Sequence, residues 1–210
     1  NYIKTLIELE KLSFADRSKY LGDPDFYNTD FLDSLTDSQY LKKRIKSINF
    51  TNPIPSKDIY PGNIKLEESN ETTHYSILDK FGNSVAVTTT LNSNFGSKII
   101  IPKLGFFMNN EMDDFSIKPG SANNYGLIGG KINSIQSEKR MLSSMTPTII
   151  EKNGKLSMIL GSPGGPTIIT SVLETILNVY LFNDKLSQAI NRPRFYHLWL
   201  PDKVYYEKNA

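Results

Sequence analysis

Residues 146–165, TPTIIEKNGKLSMILGSPGG, constrain the fold more than any other stretch of the chain. Two largely apolar runs flank Asn153-Gly154, and this dipeptide between such runs is the strongest short-range signal of a β-hairpin. The next segment, from about Pro166 to Phe182, is apolar almost all round and predicts a long, buried helix. A hairpin that leads directly into a buried helix indicates a layered fold in which a sheet packs against helices.

A second hairpin is predicted further upstream, and its strands are rich in threonine. The runs THYSILD and NSVAVTTTLN are joined by Asp79-Lys80-Phe81-Gly82, which is a turn sequence. Two shorter strand-like runs follow, KIIIP and GFFMNN, and then a Gly-, Asn- and Ser-rich stretch from Ser116 to Asn133. Together with the first hairpin and its helix, these runs predict an α+β fold.

The upstream part of the chain has a different character. Residues 1–50 show helical patterns, and Thr36 with Gln39 predicts a capping box at the start of the helix YLKKRIKSI. Residues 51–71 carry three prolines and a polar end, so they predict a loop or linker.

Composition excludes several classes of protein. The chain has 210 residues, enough for one domain with or without a small attachment, and its net charge of +2 gives no sign of a nucleic-acid surface. Because it has no cysteine, disulfides and thiolate zinc sites are excluded. No stretch approaches the roughly 20 apolar residues of a membrane span. The first residues lack the pattern of a signal peptide and are helical in character, so we expect the chain to start within a domain.

Two stretches carry groups that can do chemistry. Alternation within VAVTTTLN places Thr88, Thr90 and Asn92 on one face of a strand. The segment GSPGG places Gly164 and Gly165 at the start of a helix, where exposed N–H groups can bind an anion or an oxyanion. Both stretches also have an ordinary structural explanation, because threonine is a good strand former and a Gly-Gly pair suits a tight strand-to-helix turn. The residues alone leave both explanations open.

Five segments match one protein family together, in its order and at its spacing. From Thr72 to Asp202 they are TTHYSILDKFGNSVAVTTTLNSNFGS, MNNEMDDFS, KRMLSSMTPTII, LGSPGG and RPRFYHLWLPD. They resemble the small subunit of the γ-glutamyltransferases (γ-glutamyltranspeptidases), which are N-terminal-nucleophile (Ntn) hydrolases. Upstream, FADRSKYLGDPDF resembles the end of the family's large subunit.

The resemblance implies a fold and a division of the chain. The implied fold is a four-layer αββα sandwich of the Ntn-hydrolase type, incomplete at both ends. Residues 1–71 would be the C-terminal end of the large subunit, with a linker to the cleavage site. Residues 72–210 would be the small-subunit catalytic region, which starts at the nucleophile.

The resemblance also implies that the precursor cuts its own backbone between Glu71 and Thr72, so that Thr72 becomes both nucleophile and N-terminus. A threonine hydroxyl is a weak nucleophile and needs a base. The freed α-amine, with a reference pKa of about 7.7–8.0, can act as that base near pH 7. We therefore expect His74 and His197 to be structural, and we expect no metal or other cofactor.

Other matching residues take their roles from the resemblance. Thr90 resembles the second threonine that supports the nucleophile, and Gly164 with Gly165 resembles the oxyanion hole. Three residues match the group that holds the α-ammonium of the substrate, two serines match the pair at its α-carboxylate, and one tyrosine matches a lid that closes over Asn92. These substrate-binding residues are, in that order, Asn92, Glu111, Asp114, Ser143, Ser144 and Tyr125.

The implied activity is hydrolysis or transfer of the γ-glutamyl group of glutathione and related donors, through an ester on Thr72. Acceptors would be water, amino acids or peptides, and the remainder of the large subunit would be a partner. The family implies a periplasmic or secreted location. Two alternatives stay open: a hydrolase of other γ-glutamyl or glutaryl amides, and a non-catalytic module that only binds or assembles.

The chain departs from the family pattern in three places. The region with the family's carboxylate-binding arginine is absent, and the chain stops at Ala210, whereas the family continues further. Pro166-Thr167 follows the Gly-Gly pair where the family often has a serine and a basic or small residue, although proline suits a helix start. The sequence therefore predicts a piece of a longer enzyme that is poorly active or inactive by itself.

Overall fold

The computed structural model describes residues 2–59 and 72–208. The helices are α1 (Tyr2–Tyr20), α2 (Leu32–Thr36), α3 (Ser38–Lys46), α4 (Thr167–Tyr180) and α5 (Leu186–Asn191). The strands are β1 (Thr72–Leu78), β2 (Ser84–Thr90), β3 (Thr148–Lys152), β4 (Lys155–Leu160), β5 (Phe195–Tyr196) and β6 (Tyr205–Tyr206). The predicted mixture of helix and sheet is confirmed.

The chain divides into two compact units, each built from separated stretches of sequence. Among the described residues, the first unit contains 2–59, 112–142 and 196–205, and the second contains 72–111, 143–195 and 206–208. Residues from both sides of the predicted boundary after residue 71 pack together in the first unit. The predicted boundary after residue 71 therefore does not coincide with the edge of a compact unit. It marks the predicted cut in the backbone and stays a prediction.

Both predicted hairpins are confirmed. β1 pairs antiparallel with β2, and β3 pairs antiparallel with β4. The carboxylate of Asp79 closes the first turn, because it accepts the backbone N–H groups of Phe81 and Asn83 at 2.8 and 2.9 Å. In the second turn Asn153 and Gly154 have φ angles of 55° and 71°, the left-handed backbone that a two-residue turn requires and that glycine adopts without strain.

Two local predictions are wrong. The runs KIIIP and GFFMNN meet at one isolated bridge, Ile100 with Phe107, and form no strands. The capping box of Thr36 and Gln39 is replaced by a cap at Asp37, whose carboxylate accepts the N–H groups of Gln39 and Tyr40. A carboxylate directly before the helix reaches both groups at 2.8 and 3.1 Å, which leaves Thr36 in the preceding helix.

The predicted linker falls mostly outside the described residues. Ser56–Asp58 forms a short 3-10 turn, and the rest of the described part, up to residue 59, is irregular. Residues 60–71, including Glu71 at the predicted cut, lie outside the described residues.

The core of the second unit lies between β4 and α4. Met158 and Leu160 of β4 pack with Ile168 and Val172 of α4. The composition of α4 predicted burial on all sides, but one side is open, since Leu173 is 37% exposed. Its buried face instead carries several polar side chains, which are Thr170, Glu174, Thr175 and Asn178.

Candidate active site

The predicted nucleophile lies at the beginning of a strand. Thr72 is the first residue of β1, is half-buried, and stands opposite Thr90 in the register of the hairpin. A cavity of about 460 Å³ opens beside them, and Ser93 and Phe95 also line it. The hairpin register thus brings the two predicted catalytic threonines together at one cavity.

The loop after β2 is held in place by amide side chains. The N–H of Asn92 donates to Oγ1 of Thr90 at 3.0 Å, which fixes the orientation of that hydroxyl. Asn92 is buried, and its Nδ2 donates to the backbone oxygen of Asn110 at 3.2 Å. Oδ1 of Asn110 accepts the N–H of Ser93 at 3.0 Å in return. These bonds connect the threonine pair to the residue directly before Glu111.

Glu111 and Asp114 are the first and last residues of one 3-10 turn. The two predicted ammonium ligands are therefore three residues apart in one short element. Burial raises the pKa of the Glu111 carboxyl above its ordinary value. A bound cation would lower that pKa again, which is the electrostatic behaviour expected of an ammonium site.

Two residues that the sequence did not single out surround Asp114 within the first unit. A cavity of about 240 Å³ is lined by Arg17, Asp114 and Asn133 among others. Burial lowers the pKa of Arg17 to about 10, while the negative charge of Asp114 raises it. Asn133 donates from Nδ2 to the backbone oxygen of Asp114 at 2.8 Å, and its Oδ1 accepts the N–H of Leu142 at 2.9 Å. Arg17 belongs to a matching segment, FADRSKY, whereas no pattern in the sequence points to Asn133.

The predicted oxyanion glycines lie in the turn before α4 with left-handed backbone angles. Gly164 and Gly165 have φ angles of 127° and 54°, which residues with a Cβ adopt only with strain. The carbonyl of Gly164 accepts the N–H and the hydroxyl of Thr167, at 3.1 and 2.7 Å, where α4 begins. Within the part of the chain that the structure describes, the N–H groups of Gly164 and Gly165 donate to no protein group. Pro166, with φ of −64°, fits the start of the helix as expected.

The remaining predicted residues are distributed between the two units. Tyr125 is 7% exposed in the first unit, and its N–H donates to Oδ1 of Asn123 at 3.0 Å. Ser143 and Ser144 lie in the second unit, where Oγ of Ser143 accepts the N–H of Met145 at 3.0 Å. The closure of Tyr125 over Asn92, which is in the second unit, stays a prediction.

The two histidines have structural contacts. His74 bonds through its ring nitrogens to Oγ1 of Thr88 at 2.8 Å and Oγ of Ser76 at 3.0 Å, and burial lowers its pKa. His197 is 2% exposed, and its pKa is about 4 because burial disfavours the charged ring. Across residues 2–59 and 72–208, no three His, Asp or Glu side chains are grouped so that they could hold a metal ion. None of the helices in those ranges is long and apolar enough to cross a membrane.

Comparison with known proteins gives consistent matches. The family model for gamma-glutamyltranspeptidase matches residues 1–210. The glutathione hydrolase proenzyme of Escherichia coli is 48% identical over 206 residues, which is 98% of this chain and 35% of that protein. The proenzyme of Pseudomonas aeruginosa is 46% identical over 210 residues, which is 100% of this chain and 37% of that protein. The chain therefore spans about a third of the length of these curated relatives.

Solved structures agree. A mutant gamma-glutamyltranspeptidase of Helicobacter pylori is 54% identical, with a TM-score of 0.64, over 65% of this chain and 73% of that one. The gamma-glutamyltranspeptidase of Pseudomonas nitroreducens in complex with L-DON is 49% identical, with a TM-score of 0.63, over 64% of this chain and 70% of that one. Since the family model covers the whole chain and relatives are identical at nearly half of the aligned positions, this chain belongs to the gamma-glutamyltranspeptidase family.

Proposed function

We propose that this chain carries the nucleophile of an enzyme that transfers the γ-glutamyl group of glutathione and related donors to water, amino acids or peptides. The observation that carries the proposal is the position of Thr72. It begins β1 opposite Thr90 and beside an open cavity, in a chain of the gamma-glutamyltranspeptidase family. The relatives are named glutathione hydrolase proenzymes, which supports both the donor and a maturation step.

Maturation would be a cut between Glu71 and Thr72 by the Thr72 hydroxyl itself. The cut frees an α-amine on the same residue, and at neutral pH part of this amine is unprotonated. It can take the proton from the hydroxyl while the oxygen attacks the γ-carbonyl carbon. The proton then passes to the leaving amine, the bond to the leaving group breaks, and an ester with Thr72 remains. Water or an acceptor amine releases the glutamyl group in the second half of the reaction.

Electrostatic stabilisation of the intermediate would come from the turn before α4. The negative oxygen of the tetrahedral intermediate needs donors that are already oriented. The N–H groups of Gly164 and Gly165 suit this role because no protein acceptor among the described residues uses them. Each such donor typically contributes a few kcal/mol to transition-state stability, on the order of 3 kcal/mol.

The donor would be recognised through its two charged α-substituents. The ammonium offers three donors, and Asn92, Glu111 and Asp114 can accept them. The charges of Arg17 and Asp114 interact, since Asp114 raises the pKa of Arg17. Ser143 and Ser144 would contact the α-carboxylate, and Tyr125 would act as the lid.

The wider setting is also part of the proposal. Residues 1–71 would belong to the large subunit and residues 72–210 to the small one, in a four-layer αββα sandwich completed by the remainder of the large subunit. The family supports a periplasmic or secreted location. No cofactor is needed in this chemistry, because the N-terminal amine supplies the base.

The deciding experiment compares three variants of the full-length protein. Thr72→Ala should abolish both self-cleavage and turnover, because one hydroxyl serves both reactions, whereas Thr72→Ser should retain part of each. Thr73→Ala is the matched control, and it should still be cleaved. Denaturing gels would show the cut, which divides this chain into pieces of 71 and 139 residues. Cleavage of the Thr72→Ala protein at Glu71-Thr72 would refute the autocatalytic proposal.

A further inference from the structure

The first unit is built from residues on both sides of the proposed cut. Residues 2–59 precede it, whereas residues 112–142 and 196–205 follow it. After cleavage these stretches would belong to different polypeptides, so every contact between them becomes an intermolecular contact. The most buried of these contacts therefore decide whether the two products stay together.

A polar cluster joins the two sides at Asp202, whose side chain is 43% exposed while its partners are buried. Its carboxylate accepts the N–H of Ser56 at 2.9 Å and the hydroxyl of Ser56 at 2.7 Å. The ammonium of Lys11 lies 4.0 Å from the same carboxylate and also contacts Glu8 at 3.0 Å and the carbonyl of Ile54 at 2.7 Å. Ser56 is fully buried and Lys11 is 3% exposed, so water cannot replace these partners in the folded unit.

His197 adds a second connection from the downstream side. Its Nδ1 accepts the N–H of Trp199 at 3.0 Å, so in the neutral ring the proton is on Nε2. Nε2 lies 3.2 Å from Oδ1 of Asp202 and donates to it. The backbone N–H of His197 donates to Oε2 of Glu10 at 2.8 Å, which is again an upstream residue. Of these His197 contacts, the bond to Glu10 crosses the cut, while the bond to Asp202 holds that carboxylate in place from its own side.

A second ion pair also joins residues from the two sides of the cut. Arg140, from after the cut, forms a bidentate pair with Asp23, from before it, at 2.6 and 3.1 Å. The Arg140 side chain is 66% exposed, and exposed ion pairs contribute little to association because water and salt screen them. The Asp202 cluster differs in that both of its upstream partners, Ser56 and Lys11, are buried.

We propose that the cluster of Lys11, Ser56, His197 and Asp202 is the joint that holds the two cleavage products together. The inference rests on the proposed cut between Glu71 and Thr72. The partner that the surface around Asp202 recognises is the upstream product of the same chain, which presents an ammonium, a hydroxyl and a backbone N–H. Separation would break the charge-assisted hydrogen bonds that Asp202 accepts from Ser56, so each of them contributes to holding the products together.

The experiment measures how fast the products exchange. Full-length protein is cleaved, mixed with isotope-labelled protein, and followed by native mass spectrometry. Asp202→Ala should raise the exchange rate about tenfold or more, because it removes a charged acceptor that takes two hydrogen bonds from Ser56. Ser56→Ala removes the hydroxyl donor but keeps the backbone N–H donor, so it should raise the exchange rate about three- to tenfold. This variant tests the proposal if Asp202→Ala does not fold.

A matched control separates the joint from general stability. Asp16 accepts Arg44 at 2.7 Å and the hydroxyl of Tyr40 at 2.8 Å, in the same unit, but all three residues precede the cut. Asp16→Asn should leave the exchange rate within about twofold of the unmodified protein, since the lost contacts do not cross the cut. Exchange rates equal to this control for both Asp202→Ala and Ser56→Ala would overturn the proposal.

Failure of the proposed cut is recognised separately. In a Thr72→Ala background, a specific protease site placed within residues 60–71 allows the same exchange to be measured after an added protease makes the cut. The unmodified chain on a denaturing gel reports self-cleavage. A single uncut band there overturns the proposed function, whereas unchanged exchange after the added cut overturns the joint alone.

Discussion

A carboxylate binds an ammonium ion well only when it is ionised and held at the right place, and two neighbours of Asp114 bear on these conditions. Arg17 supplies a positive charge near it, and Asn133 fixes its backbone through a 2.8 Å hydrogen bond. Asp113 is its direct neighbour but has a different task, since its carboxylate accepts the N–H of Asn124 at 2.9 Å. The two adjacent aspartates thus form a matched pair for mutagenesis.

At this scale we expect Asp114→Asn to weaken γ-glutamyl donors strongly. The loss of a charged partner in a partly desolvated pocket costs roughly 2–5 kcal/mol, by analogy with broken buried charge pairs. The loss should appear mainly in KM for a γ-glutamyl anilide, because ground-state and transition-state binding both use the ammonium. Asp113→Asn should change KM little. An unchanged kcat/KM for Asp114→Asn would remove this residue from the site.

Single residues differ in how far the sequence predicts them. Thr72, Thr90 and the glycine pair follow from a motif match, and their local geometry is compatible with the roles assigned to them. Arg17 and Asn133 could not be assigned from the sequence. They are separated from Asp114 by about a hundred and about twenty residues, and sequence patterns such as periodicity describe only close neighbours along the chain. The motif names a ligand but not the groups that orient it.

The β4-to-α4 connection is the element on which the site depends most. Gly161 follows β4, and a Cβ at this position would lie 2.2 Å from Nδ1 of His74. The imidazole is held by Thr88 and Ser76, so it cannot easily move away. His74 is in β1, two residues after Thr72. A side chain at Gly161 would therefore push on the strand that carries the nucleophile.

We accordingly expect Gly161→Ala to slow self-cleavage and to lower stability by about 1–3 kcal/mol, the usual cost of overpacking. The double variant with His74→Ala should recover much of both losses, because the ring that the new methyl group meets is gone. Melting temperature and the rate at which two bands appear on a denaturing gel would measure the two effects. Equal losses in the single and double variants would show that the clash with His74 is not the cause.

Elements with a strong local signal are predicted well, and those that depend on neighbours are not. Asn153-Gly154 specifies its turn because few residues tolerate the left-handed backbone there. The runs KIIIP and GFFMNN have strand composition and exchange backbone hydrogen bonds around Ile100 and Phe107, yet they form one isolated bridge and no strands, because composition cannot specify how far two runs pair. For α4, composition predicted burial but not that Glu174 would be on the buried face.

At the scale of the whole molecule, each unit buries one titratable side chain, and the two affect stability in opposite directions as pH changes. The first unit buries His197 in its neutral form, with a pKa of about 4 against an ordinary 6.5, chiefly because of burial. The second buries Glu174, which is 4% exposed and has a pKa of about 7 against an ordinary 4.5, again because of burial. Each shift links the stability of one unit to pH, with opposite sign.

The signs follow from which state binds more protons. Unfolded His197 takes up a proton below about pH 6.5, whereas the folded ring resists it down to about pH 4, so the first unit loses stability as pH falls through this range. Unfolded Glu174 is ionised above about pH 4.5, whereas the folded carboxyl keeps its proton until about pH 7. The second unit therefore loses stability as pH rises through that range. Each change amounts to at most about 3.5 kcal/mol.

We expect, as a result, that a change from pH 7.5 to pH 5 weakens the first unit and strengthens the second. Trp199 is the only tryptophan of the chain and is buried in the first unit, so its fluorescence in urea reports that unit alone. Hydrogen exchange in α4, corrected for the pH dependence of the chemical rate, reports the second. Glu174→Gln is the control: it should stabilise α4 at pH 7.5 and remove its response to pH, while the Trp199 transition stays unchanged. If both units weaken together at pH 5, buried Glu174 does not govern the second unit, because its protonation at that pH can only favour the folded state.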